Sequence, residues 1–187
     1  MMDERSLTTL PPDLPVPVDD GAAAHLTGAK LPHVELRATD GTLVDLAALP
    51  GTVVVFAYPR TGRPGEPSLV EDWDAIPGAR GCTPHTSGFR DLHAEFAALG
   101  ARVFGLSTQD PAYQREMVER VQVPFPVLSD AALELTQALR LPTFDVAGQT
   151  LLKRIAWIAR DGTIARVFYP VFPPDRNAAE VLAALRA

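Results

Sequence analysis

The chain contains a single cysteine, Cys82, among 187 residues. Phe89, Leu92, Phe96 and Leu99 follow it at the period of one helix face, and Gly100 closes that pattern as a C-terminal cap. The stretch before it, residues 59–81, is rich in proline and glycine and reads as a long loop. Cys82 therefore stands where coil becomes helix. There, backbone N–H groups lack partners within the helix and the positive end of the macrodipole favours a negative charge. A thiolate so placed is a nucleophile. A lone cysteine is otherwise an inert small hydrophobe, so its neighbours decide between the two readings.

A thiolate that attacks a peroxide needs donors to hold and polarise the peroxide oxygens, and a shell that limits water. Gly81 lets the backbone approach closely, and N–H groups near Cys82 can donate to the attacked oxygen. Arg154 is the candidate fixed cation. It heads the apolar run Arg154-Ile-Ala-Trp-Ile-Ala159, where an unpaired guanidinium would be costly. The alternative is an edge-strand arginine with its head in solvent. Thr83 offers a hydroxyl, although capping is the commoner use of one at a helix start. His85 reads as an exposed first-turn histidine, with contact to the thiol as the alternative, and His93 is not adjacent. Four histidines, one cysteine and no tight His/Asp cluster make a metal site improbable, and no cofactor is implied. The paired thiols of a C-x-x-C motif are missing, which argues against disulfide reductase chemistry.

These residues need a frame. Thr52 to Tyr58 is short, β-branched and continuously apolar, as a central strand buried on both faces should be, and it stops at Pro59. Strands are expected at Ala101–Ser107, at Pro126–Ser129, and at Leu151–Ala159 and Thr163–Tyr169, the last two joined by the turn signal Asp161-Gly162. Helices are expected after Asp110-Pro111, over 131–139 and at Arg176–Leu185. A β-hairpin around Asp40-Gly41 opens the globular part. Residues 1–30, with four prolines and no apolar period, read as an extended N-terminal arm, and 31–187 as one domain. This alternation is that of an α/β fold with a mixed sheet and helices on both faces. Trp73 in the long loop reads as part of the loop's own small core more than as a lid over the thiol.

Apolar residues are 47% of the chain and charged residues 21%, the balance of a soluble globular protein. A net charge of −6 supplies no overall field for nucleic acid or anionic lipid. The N-terminus carries acidic residues and prolines where a secretory signal would be basic and then apolar, and no apolar run is long enough for a membrane span. A cytoplasmic location is the default expectation.

The segments GCTPHTSGFRDLHAEFAALGARVFGLSTQD, FPVLSD and KRIAWIARDGTIARVF resemble the peroxiredoxin Q subfamily, also called bacterioferritin comigratory proteins, from about Leu31 to Phe168. The resemblance implies a thioredoxin-like fold: a central mixed β-sheet flanked by helices, with an N-terminal β-hairpin. It implies that Cys82 is the peroxidatic cysteine and Arg154 the active-site arginine. Pro59, Thr61, Gly81 and Thr83 then fall at substrate-binding positions. The chain departs from the family pattern twice. Ala79 stands three residues before the cysteine, where the family has threonine, so either Thr61 folds back to supply the hydroxyl or the site lacks it. Ser87, whether natural or an engineered replacement for cysteine, stands where many members carry a resolving cysteine. The implied mechanism uses one cysteine. A peroxide oxidises Cys82 to a sulfenic acid, and an external thiol such as thioredoxin, glutaredoxin or a low-molecular-weight thiol reduces it. The resemblance also implies a monomer or weak dimer. The alternative function is a redox-sensing or binding protein of the same fold without efficient peroxidase turnover.

Overall fold

A computed structural model of the protein describes residues 3–187. Along the chain lie α1 (Glu4–Thr8), β1 (Glu35–Ala38), β2 (Leu43–Asp45), β3 (Thr52–Ala57), α2 (Cys82–Asp91), α3 (His93–Ala98), β4 (Ala101–Ser107) and α4 (Pro111–Arg120). Then follow β5 (Val127–Ser129), α5 (Glu134–Leu139), β6 (Thr143–Val146), β7 (Gln149–Leu152), β8 (Ile155–Arg160), β9 (Thr163–Phe168) and α6 (Asn177–Arg186). The seven-stranded sheet has the order β2-β1-β5-β4-β3-β8-β9. The strands β3, β4 and β5 run parallel, with β1 and β8 antiparallel beside them.

The apolar run of β3 fills the centre because side chains alternate across a strand. Val53, Val55 and Ala57 enter one core with Leu26, Leu135 and Trp157. Val54 and Phe56 enter the other, with Phe89 of α2, Met117 of α4 and Val181 of α6. Helices thus cover both faces in a thioredoxin-like arrangement, as the sequence predicts. Phe56 stacks on Phe89 with ring centroids 4.2 Å apart, which locks α2 onto the central strand. Asp110 Oδ1 accepts the N–H of Tyr113 and so starts α4, with Pro111 at its first position. The hairpin at Asp40-Gly41 forms as β1 and β2, with Arg37 opposite Leu43.

Two expected elements divide. The helix expected from Cys82 to Leu99 breaks at Leu92, whose φ of −99° and ψ of 7° fall outside the helical region. Its apolar face continues across the break, so the period alone does not reveal it. The strand expected over Leu151–Ala159 is two strands. Strand β7 pairs with β6 in a separate two-stranded sheet, while β8 pairs with β3, and Lys153-Arg154 forms the joint between them. The expected helix over 131–139 begins at Glu134, because Asp130 accepts the N–H groups of Leu135 and Thr136. Within residues 3–30, α1 packs against α2, and Leu7 and Leu26 are buried.

Candidate active site

Cys82 is the first residue of α2, and its side chain is only 4% exposed. Gly81 before it has a φ of +103°, a left-handed conformation that side chains disfavour. A Cβ there would also lie 2.5 Å from Pro174 Cγ and 2.8 Å from Leu10 Cδ2. Two independent constraints therefore demand glycine next to the cysteine. The first bond of α2 in this turn runs from His85 N–H to the Gly81 carbonyl. Pro84 has no N–H, so the first turn offers those of Cys82 and Thr83.

Arg154 comes from the joint between β7 and β8 and is 3% exposed. Its Nη2 lies 3.3 Å from Cys82 Sγ and also donates to the carbonyls of Gly78, Ala79 and Arg80 at 3.1–3.3 Å. The end of the long loop thus wraps its backbone oxygens around the guanidinium and fixes it beside the sulfur. This excludes the solvent-exposed alternative. Ala79, which has no hydroxyl to offer, contributes its carbonyl, 3.6 Å from Sγ.

His85 contradicts its expected exposure, being fully buried. Its Nδ1 accepts from Arg154 Nη1 at 3.0 Å, and its Nε2 donates to Asn177 Oδ1 at 2.8 Å. Those two bonds require the neutral ring with its proton on Nε2. Burial, and then the Arg154 charge, hold His85 well below its usual range, against the Asn177 bond. Neither His85 as a buried acceptor nor Asn177 was legible in the sequence. Their partners are remote in the chain, and an aromatic ring in a first helical turn carries no mark of depth. Tyr58, at the end of the β3 run, has its phenol pushed up by burial and stays protonated.

Of the other predicted site residues, Thr83 is buried and lines the cavity at Cys82; the N-cap position itself is held by Gly81. Pro59 is buried at the end of the central strand. Thr61 is buried but its hydroxyl donates to Gln109 Oε1 at 3.2 Å, and its own N–H and carbonyl bond the same amide. The structure therefore directs that hydroxyl's proton away from the sulfur. Ser87 is half-buried on α2. Trp73 belongs to a small apolar cluster with Ala79 of the loop and Leu151 of β7, and also lines the Cys82 cavity. His93 packs on Phe125, away from the site. Among the described residues no group of three or more His, Cys, Asp or Glu side chains could hold a metal ion.

The cavity at Cys82 has a volume of about 20 Å³ and is walled by Leu7, Arg60, Trp73, Arg80 and Thr83. A larger cavity of about 410 Å³ borders Arg154 and is lined by Val18, Phe144 and Tyr169, but Cys82 does not line it. Cys82 and Thr83 both line the small cavity.

The model of the family described as Redoxin matches residues 26–185. Among similar proteins, a rice (Oryza sativa subsp. japonica) chloroplastic peroxiredoxin Q is 27% identical over 161 residues, which cover 86% of this chain and 66% of the rice protein. The peroxiredoxin bcp1 of Schizosaccharomyces pombe is 30% identical over 139 residues, covering 73% of this chain and 61% of that protein. The chain thus spans about two thirds of the length of these relatives. The crystal structure of peroxidoxin BcpB from Mycobacterium tuberculosis superposes with a TM-score of 0.69 at 29% identity, over 86% of this chain and 96% of that one.

Proposed function

Because this chain belongs to the redoxin family, we propose that it is a thiol-dependent peroxidase, reducing hydrogen peroxide or organic hydroperoxides through Cys82. The Cys82 thiolate attacks one peroxide oxygen. An S–O bond forms as the O–O bond breaks, and the leaving oxygen departs as ROH after taking a proton. Arg154 stabilises both the thiolate and the charge that develops on the leaving oxygen, while the N–H groups of Cys82 and Thr83 orient the peroxide. His85 keeps the guanidinium in place as a neutral acceptor. It is a positioning residue.

The product is a sulfenic acid, a two-electron oxidation of sulfur. No second cysteine is available within the chain. An external thiol, R′SH, attacks it to give a mixed disulfide and water, and a second R′SH releases Cys82 and the disulfide R′SSR′. Thioredoxin, glutaredoxin or a low-molecular-weight thiol of the cytoplasm fills that role, with the protein acting as a monomer or weak dimer. The observation that carries this reading is the 3.3 Å contact between Arg154 Nη2 and the sulfur of the sole cysteine.

Stopped-flow oxidation of the reduced protein is the test. We expect Cys82 to react with hydrogen peroxide far faster than free cysteine; a rate equal to that of free cysteine overturns the proposal. A second reading, a redox sensor oxidised without efficient turnover, is favoured by the confinement of the sulfur in a cavity of about 20 Å³. Steady-state turnover with dithiothreitol separates the two, since a sensor would stall after one oxidation.

A further inference from the structure

We propose that the N-terminal turn sets the peroxide specificity of Cys82: Leu7 admits hydrogen peroxide and excludes bulky hydroperoxides. The inference rests on the peroxidase reading and adds the size class of the substrate. Leu7 is 5% exposed and forms one wall of the cavity that contains the sulfur. Three residues further, the Leu10 side chain lies directly over Gly81.

The turn is anchored at several points. Asp3 Oδ1 accepts the N–H of Ser6 at 2.7 Å, and the Asp3 carbonyl accepts that of Leu7 at 3.3 Å. The Ser6 carbonyl accepts from Arg80 Nη2, and Arg80 is itself paired with Asp74 at 3.1 Å. Arg80 immediately precedes Gly81 and Cys82, so the cover is tied to the element that carries the thiol.

The walls of this cavity are unequal. Trp73 belongs to a packed cluster, and Thr83 to the first turn of α2. The turn contributes no strand to either sheet. Ser6 and Leu10 are only half-buried around Leu7, and Thr8 is exposed. Segments with few buried contacts open at the least cost. A cavity of about 20 Å³ accommodates roughly one water molecule. Hydrogen peroxide, little larger, needs only a slight displacement of Leu7, whereas a substrate carrying a phenyl or alkyl chain beside the peroxide must lift the turn.

Leu7→Ala in the full chain tests this. The rate constant with cumene hydroperoxide is expected to rise about tenfold relative to that with hydrogen peroxide, the scale on which an apolar pocket discriminates size. Leu10→Ala, which loosens the same turn from Gly81, should shift the ratio in the same direction. A parallel measurement needs no peroxide: alkylation of reduced Cys82 by N-phenylmaleimide should accelerate more than alkylation by iodoacetamide. An unchanged ratio in both assays, or equal acceleration of the large and small reagents, overturns the proposal. If neither peroxide outpaces its reaction with free cysteine in any variant while the alkylation ratio still shifts, the peroxidase reading falls and the cover over the thiol stands.

Discussion

The wall that holds the chemistry and the wall that admits reactants are built to different standards. On one side of Cys82, Arg154 is clasped by three loop carbonyls, braced by His85 and, through it, by Asn177. All three side chains are buried and come from the β7–β8 joint, α2 and α6. On the other side, a single short turn contributes Leu7 as one wall of the cavity. Charges buried in a low-dielectric surrounding are tolerated only when fixed by many partners, so loosening the first wall is costly. Apolar cover needs no such network and can be light. Precision and access are thus assigned to separate parts of the chain.

The sharpest way to break the contrast is Arg154→Leu. Removing one charge-stabilising donor costs an active site about a hundredfold or more in rate, and the loop carbonyls lose a shared donor as well. We expect peroxide reactivity of Cys82 to fall by at least that factor and the thermal midpoint to drop. Unchanged stopped-flow rates would remove Arg154 from the mechanism. Gly81→Ala is the next largest perturbation. It must meet both the left-handed backbone and Pro174, and a loss of about 1–3 kcal/mol in denaturant unfolding is expected.

His85 gives a smaller effect with a definite sign. In the unfolded chain its ring takes up a proton near pH 6.5; in the fold it does so only at much lower pH. Below pH 6.5 the unfolded state therefore binds more protons, and stability falls as pH falls, by up to about 1.4 kcal/mol per pH unit for this group. His85→Gln should flatten that dependence between pH 6.5 and 5 while lowering peroxide reactivity less than Arg154→Leu does. An unaltered slope in the variant would mean that the ring is not held neutral. The mildest change in reactivity is Leu7→Ala, which shifts a ratio of rates; because the side chain is buried, its truncation should lower the unfolding midpoint as well. An unchanged ratio of rates would show that Leu7 does not control access.

The parts of this site legible in the sequence were those marked by a local mismatch. A cysteine at the first apolar step of a helical period is visible, and so is an arginine leading an apolar run. Both are brought together here. What escaped detection depends on distance. His85 is buried by partners 69 and 92 positions away, and nothing in its own neighbourhood signals depth. The hydroxyl of Thr61 is claimed by Gln109, 48 positions on. The division of Leu151–Ala159 escaped for another reason: both halves are apolar, and period alone cannot register a change of partner strand. That division matters, because it puts Arg154 at the end of a strand, where its backbone can turn toward the sulfur.

Ser87 has a consequence for how the molecule works. An intramolecular disulfide needs Cα atoms within about 7 Å, yet five residues along an intact helix already rise about 7.5 Å. A thiol at position 87 could reach Cys82 only by unwinding the helix, so each turnover would require a partial loss of structure. With serine there, oxidation and repair can proceed on a helix that stays wound. Stiffening α2 should then cost this protein nothing in speed, and its tolerance of heat and its rate of work can improve together.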